Sequence, residues 1–224
     1  MQPRFVGRLS PADLVTVANA ALGFGAVAAA TLSPALAARL ILLGAIADGL
    51  DGVLARRYGS SEAGGFLDSL ADVATFGVAP ATLVFVVATD AWGVAVDGAT
   101  TAAVGLPALF VSIAVLRLGL YTAEDLGDAT TAGVQTTLAA TILATGFLAG
   151  VTAPVVLLAA TGAFCYLMVA PVTYPDLWAR DALVLGGLQA LVVLFPDVAD
   201  GVFARALLVA ALAYMVLAPR FYWR

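Results

Sequence analysis

The sequence predicts an all-α integral membrane protein, a polytopic bundle of about eight transmembrane helices with both termini on the cytoplasmic side. Three observations carry the prediction. The 224-residue chain is 62% hydrophobic and 11% charged, with a mean hydropathy of +1.04, which is more apolar surface than a soluble domain of this size can hide. Apolar segments of about 20 residues, the length that crosses a bilayer as a helix, recur along the whole chain between turn-forming breaks. The arginines gather at alternate breaks, the distribution expected of a chain that crosses repeatedly.

The first span, 12–32, follows "MQPRFVGRLSP", so Arg4 and Arg8 precede the apolar run. That run is longer than a signal-peptide core and leads directly into another hydrophobic segment. It therefore reads as a retained helix, with residues 1–11 either a short interfacial piece or a tether. The second span, 34–57, opens after "LSPA" and ends in "DGLDGVLARR". The turn "YGSSEAGG" leads into the third, 64–88, with Ser60 or Ser61 as the expected helix N-cap. "TDAWGVAVDGA" precedes the fourth, 100–121, and "AEDLGDATTAG" the fifth, 133–150. After "TAP" comes the sixth, 152–172. "YPDLWARD" introduces the seventh, 181–196, which is short and reads as tilted or half-inserted, and "FPDVADG" the eighth, 202–219.

With the N-terminus cytoplasmic, Arg4, Arg8, Arg56, Arg57, Arg117, Arg180, Arg220 and Arg224 lie at cytoplasmic ends, and only Arg39 and Arg205 fall on the other side. The positive-inside rule then requires an even number of spans. The short loops holding Asp90, Asp97, Asp197 and Asp200 face outward. No soluble domain, low-complexity tract or clear repeat interrupts the pattern, so residues 1–224 form one membrane domain.

Composition also excludes functions. The net charge is −5 with no lysine and no histidine, so the basic footprint of a nucleic-acid-binding protein is absent. One cysteine, Cys165, lies in an apolar segment, which rules out a disulfide framework and leaves no nitrogen or sulfur donor set for zinc. Any metal must be a hard cation held by carboxylate oxygens.

The second and third spans supply such oxygens. Asp48 and Asp51 are three residues apart and share a face of one helix; Asp68 and Asp72 are four apart and share a face of the next. At 1.5 Å per residue, Asp51 and Asp48 lie about 9 and 13 Å from the turn, and Asp68 and Asp72 about 6 and 12 Å. An antiparallel hairpin, 44–75, would bring the four together just inside the membrane boundary. Each carboxylate costs roughly 2.5–3.5 kcal/mol at mid-membrane, less near the interface, and the four repel one another. One or two Mg²⁺ or Mn²⁺ ions would relieve both costs, and a pair could clamp the bridging and leaving oxygens of a phosphoryl transfer. Gly52 and Gly64 leave space for close approach of a ligand or of another helix.

The stretch "DGLDGVLARRYGSSEAGGFLDSLAD" resembles the signature of the CDP-alcohol phosphotransferase family, D-x-x-D-G-x-x-A-R-x(7–8)-G-x-x-x-D-x-x-x-D, at all eight fixed positions. The signature covers 25 residues, and the hydropathy of the whole chain agrees with that family's helical membrane fold. The resemblance implies that Asp48, Asp51, Asp68 and Asp72 hold a two-metal centre of Mg²⁺ or Mn²⁺. It makes Asp72 the general base for the acceptor hydroxyl as well. Gly52, Ala55, Arg56 and Gly64 would accommodate and grip the CDP moiety of a lipid donor. Asn19, beside Thr16 in "TVANAALGFG", joins the CDP-binding set; for each of these polar residues a helix–helix hydrogen bond is the competing role.

Within the family, "LRLGLYT", "GVQTTLAATILA" and "MVAPVTYPDL" look most like archaeal archaetidylserine or phosphatidylserine synthases, although Gln135 replaces a usual proline. The implied reaction moves an archaetidyl group from CDP-archaeol to the hydroxyl of L-serine and releases CMP. Acidic, lysine-free loops are also found in proteins of salt-loving archaea, and GC-rich codon usage produces the same composition. A phosphorylated acceptor would need several cations around its pocket. Beyond the signature and the two terminal segments, only Arg117 and Arg180 stand on cytoplasmic loops or helix ends. Arg117 is thus the candidate for the serine carboxylate, or else a positive-inside anchor. Glycerol phosphate or inositol phosphate is the alternative acceptor. A cation transporter built on the four aspartates and a non-catalytic lipid-binding module are the readings outside this enzyme class. Family members are homodimers, and small-residue stretches such as Ala28–Ala30, Ala139–Ala140 and Ala210–Ala211 permit close packing.

Overall fold

The computed structural model describes residues 7–125, 130–175 and 177–223. Arg4, Arg224, Asp128 and most of the interfacial segment expected at 1–11 lie outside the described residues. Helices dominate: α1 (Pro11–Ala30), α2 (Pro34–Tyr58), α3 (Gly64–Asp72), α4 (Ala79–Trp92), α5 (Gly98–Leu120), α6 (Thr136–Leu148), α7 (Pro154–Leu167), α8 (Ala179–Leu194) and α9 (Val202–Phe221). A π-helical segment, Val73–Val78, joins α3 and α4 into one rod, and a second, Tyr121–Asp125, extends α5.

The rods follow the eight apolar segments of the sequence. Among the described residues, four are long and apolar enough to cross a membrane: Pro11–Ala30, Gly64–Trp92, Gly98–Glu124 and Val198–Phe221. The chain is a helical membrane protein by that measure. α2 has the length, but it carries Arg39, Asp48, Asp51, Arg56 and Arg57. α6 and α7, with 13 and 14 residues, span only about 20 Å at 1.5 Å per residue.

Two expectations are corrected. The fold is not purely helical. Where the fifth span was expected to begin, β1 (Thr130–Ala132) pairs antiparallel with β2 (Thr173–Pro175). The ribbon forms because Gly133 turns the chain at φ +73°, with Met168 O only 2.1 Å from where a Cβ would sit. Its N–H donates to Val172 O at 2.8 Å, and the next N–H, of Val134, donates to Leu167 O at 2.9 Å. Helix α6 therefore starts three residues later than expected, at Thr136. Nor does Ser60 or Ser61 cap α3. The N-cap is Ala63, without a side-chain bond, and Ser61 instead accepts the Ala63 N–H at 3.2 Å within the turn.

The core is built from close helix approach. Along α1 the buried positions Ala12, Thr16, Asn19, Gly23, Ala26 and Ala30 form one stripe, and small residues there let α2 pack tightly. Phe76, Phe110, Ile41, Leu42, Leu83 and Leu143 are fully enclosed. The first π segment lies in a niche made by two glycines. A Cβ at Gly23 would meet Thr75 Oγ1 at 2.7 Å, and one at Gly44 would meet Thr75 Cγ2 at 2.3 Å. Outward-facing Phe24, Leu32, Leu109, Val155, Leu183, Val209 and Val216 give the bundle an apolar exterior, as a lipid-facing surface requires.

The antiparallel course of the helices gathers the N-terminus of α1, the α2–α3 turn, the C-terminus of α5, the β1–β2 ribbon and the α8 and α9 ends at one end of the bundle. Arg8, Arg56, Arg57, Arg117, Arg180 and Arg220 belong to that end. The other end holds Arg39, whose Nε donates to Val193 O at 2.8 Å, and Arg205, whose Nη2 donates to Asp200 O at 2.6 Å.

Candidate active site

The α2–α3 hairpin begins with helix ends that the sequence encodes. Gly59, at φ +83°, stops α2, and its N–H closes on Ala55 O at 2.9 Å. α1 then braces the hairpin. Ser10 and Asp13 form a capping box, with Ser10 N–H donating to Asp13 Oδ2 at 2.6 Å and Asp13 N–H to Ser10 Oγ at 3.2 Å. Asp13 also lies against the start of α3: a Cβ on Gly64 would be 3.2 Å from Asp13 Oδ1 and 3.0 Å from Ser60 Cβ. Gly64 thus has a packing reason of its own. One turn along α1, the Thr16 hydroxyl donates to Asp51 Oδ2 at 2.6 Å, with both side chains buried.

Across the hairpin, Asp48 on α2 meets Asp68 and Asp72 on α3. One carboxylate oxygen of each lies within 4.8 Å of one from each of the others. Asp72 is buried, and its Oδ1 has no hydrogen-bond partner among the described residues. Three of the four expected carboxylates therefore form one cluster, while Asp51 is turned to Thr16 of α1. Converging hard oxygens, one of them buried and unsatisfied, are the donor set that an oxygen-preferring divalent cation fits.

The cluster opens on a cavity of about 210 Å³ whose wall includes Arg117, Tyr121, Thr131, Gln135 and Thr137. Arg117, on the last turn of α5, is buried; its Nη2 donates to Thr131 Oγ1 at 3.0 Å and its Nη1 to Thr136 Oγ1 at 3.3 Å. The β1 strand and the first residue of α6 thus hold the guanidinium in place. A neighbouring cavity of about 200 Å³ shares Asp48, Gln135 and Thr137, but its wall is mainly apolar, with Ala45, Leu138, Leu185, Leu207 and Tyr214. A polar chamber and an apolar one therefore meet at Asp48. Beside them, Tyr222 donates to Asp181 Oδ2 at 2.5 Å and lies tilted against Trp178, ring centroids 5.4 Å apart. Partial burial, together with that bond, raises the phenol above its ordinary value.

The remaining residues singled out in the sequence do not line either chamber. Arg56 is exposed, with Nη1 3.5 Å from where a Cβ on Gly52 would be, so it lies back along α2 over Gly52; Ala55 is half-buried on the same turn. Asn19 is fully enclosed between α1, α2 and the first π segment. Its backbone carbonyl accepts from Thr75 Oγ1 at 2.8 Å, and neither side-chain amide atom has a partner among the described residues. The sequence reading passed over Asp13, although Ser10-x-x-Asp13 before an apolar run is a capping-box pattern. It gave no role to Thr131, which no local pattern marks, or to Thr136, although that residue lies in "GVQTTLAATILA".

Comparison with known proteins identifies the family. The model of the CDP-alcohol phosphatidyltransferase family matches residues 9–169, from the cap of α1 to just past the end of α7, a stretch that contains the three-carboxylate cluster and Arg117. Archaetidylserine synthase of Methanothermobacter thermautotrophicus is 31% identical over 171 residues, covering 73% of this chain and 68% of that protein. The CDP-diacylglycerol–serine O-phosphatidyltransferase of Methanocaldococcus jannaschii is 43% identical over 74 residues, 33% of this chain and 34% of that one. By these matches the chain belongs to the CDP-alcohol phosphatidyltransferase family and is a CDP-alcohol phosphotransferase, a membrane transferase of phospholipid biosynthesis.

Proposed function

We propose that the enzyme transfers the archaetidyl group of CDP-archaeol to the hydroxyl of L-serine and releases CMP. The observation that carries this reading is the meeting of the Asp48, Asp68 and Asp72 carboxylates with a chamber walled by Arg117. Arg117 offers one guanidinium fork, the right complement for a single carboxylate; a phosphorylated polyol, as a dianion, would want more cations than this wall offers. Both curated relatives above carry serine chemistry in their names.

Asp48, Asp51, Asp68 and Asp72 would hold one or two Mg²⁺ or Mn²⁺ ions, which supply electrostatic stabilisation to the diphosphate as its charge grows. The chain's own residues do the rest. Arg117, fixed by Thr131 and Thr136, orients serine through its carboxylate. The buried Asp72, whose Oδ1 has no hydrogen-bond partner among the described residues, takes the proton from the serine hydroxyl. The serine oxygen bonds to the lipid-bearing phosphorus, the bond from that phosphorus to the bridging oxygen breaks, and CMP leaves. Gly52, Ala55, Arg56 and Gly64 would form the CDP side, with Arg56 swinging away from Gly52 to reach the diphosphate, while Asn19, enclosed behind them, would support the packing of α1 against α2. The apolar chamber beside Asp48 takes the lipid end of the donor.

In this reading all eight rods cross or enter the membrane, N-in and C-in, the site faces the cytoplasm, and the enzyme works as a homodimer. The test is CMP release by purified enzyme given CDP-archaeol or CDP-diacylglycerol with serine, glycerol phosphate or inositol phosphate. Serine-dependent release that chelation stops and Mn²⁺ or Mg²⁺ restores is expected. Release with a phosphorylated polyol but not with serine would overturn the acceptor assignment.

A further inference from the structure

Ser69 stands on α3 between Asp68 and Asp72, half-buried and outside the carboxylate cluster. Its hydroxyl is hydrogen-bonded to the hydroxyl of Thr122, in the π segment that extends α5. Thr122 donates in turn to Leu118 O at 2.9 Å. Either hydroxyl can donate across the pair; in the arrangement that also satisfies Leu118 O, Ser69 gives its one proton to Thr122 and Thr122 gives its own to Leu118. The far end of this chain is next to Arg117, and both Leu118 and Tyr121 line the polar chamber.

We propose that the Ser69–Thr122 hydroxyl pair is the positioning contact that sets the Arg117–Tyr121 wall against the Asp68–Asp72 wall. The proposal rests on the reading that the Arg117 side receives the acceptor. α3 and α5 are separate rods, and α5 changes from α to π geometry at Tyr121, so regular helical bonding does not by itself fix this junction. A side-chain bond across it does. An acceptor held on one wall and attacked through the other is sensitive to displacement, because misplacement by about 1 Å can cost about a hundredfold in rate.

The experiment compares Ser69→Ala, Thr122→Val, the double variant and Ser69→Thr with the unsubstituted enzyme, all in detergent or proteoliposomes. Each single loss is expected to raise the KM for serine about tenfold, while the KM for CDP-lipid and the Mn²⁺ concentration for half-activation stay within about twofold. The double variant should be no worse than either single one, the mark of one shared interaction. Ser69→Thr, which keeps the hydroxyl, should restore the serine KM. An unchanged serine KM, multiplying penalties in the double variant, or parallel rises in the CDP-lipid and Mn²⁺ constants would overturn the proposal. If serine supports no CMP release by the unsubstituted enzyme, the acceptor assignment fails separately. The same variants are then scored on the KM of whichever acceptor does.

Discussion

Replacing Thr16 by valine tests the division of labour between the four aspartates. The substitution keeps the branched shape and removes one hydroxyl. That hydroxyl lies 2.6 Å from Asp51 Oδ2 and 3.2 Å from Ala12 O. The shorter bond is to a carboxylate, and both side chains are buried, at 5% and 6% exposure, so water cannot readily replace it. A hydrogen bond to a charged group contributes about 1.5–3 kcal/mol. At 1.4 kcal/mol per factor of ten, its loss corresponds to roughly ten- to hundredfold weaker binding of whatever Asp51 helps to hold. Loss of a ligand's supporting partner in other metal sites costs about the same. The assay is Mn²⁺ titration of CMP release, with direct Mn²⁺ binding measured in parallel. Thr16→Val should shift both curves to higher Mn²⁺, and Thr16→Ser, which keeps the oxygen, should not. Superimposable curves for Thr16→Val and the unsubstituted enzyme would refute the reasoning and leave Thr16 as a helix-packing residue.

Asp72→Asn should lower turnover by about 10²–10⁴, the usual worth of a general base, while the protein still inserts and purifies normally; retained turnover removes Asp72 from that role. Arg117→Lys exchanges a planar fork for a point charge and loses the paired bonds to Thr131 and Thr136. The KM for serine should rise about tenfold or more with the CDP-lipid KM unchanged, and equal shifts in both would identify a purely structural arginine. Gly44→Ala would put a Cβ 2.3 Å from Thr75 Cγ2 and 2.9 Å from Asn19 Oδ1. A detergent melting curve should show a loss of about 1–3 kcal/mol, and an unchanged melting temperature would mean that the first π segment is free to move away.

Much of the site was legible because its signals are local. Asp48/Asp51 and Asp68/Asp72 are three- and four-residue repeats, and a short turn between two apolar runs leaves little choice but an antiparallel hairpin. The meeting of Asp48 with Asp68 and Asp72 follows from helix period and rise alone. The expected joining of Asp51 to that cluster depended on α1, and no spacing within the hairpin could reveal that Thr16, more than thirty residues earlier, holds it. Asn19 illustrates the same limit. It is a polar residue on the buried stripe of α1, and only the packing of Thr75 and Gly44 around it shows that it is enclosed. The β1–β2 ribbon escaped notice because each strand is three residues long and pairs with one more than forty residues away, too short and too distant for periodicity to register.

The sequence by itself determined the solvent of this protein, its helical rods and the spacing of its carboxylates. Hydropathy, helix period and donor type are properties of neighbouring residues, and burial of the backbone in lipid permits few alternatives to helices. Only the tertiary structure decided which groups face one another. Arg117 becomes the wall of a chamber because β1 and α6 fold back to hold it, and Ser69 reaches Thr122 because two rods meet beside a π segment. Those encounters depend on how separate helices pack, which is set by the shapes of side chains far apart in the chain.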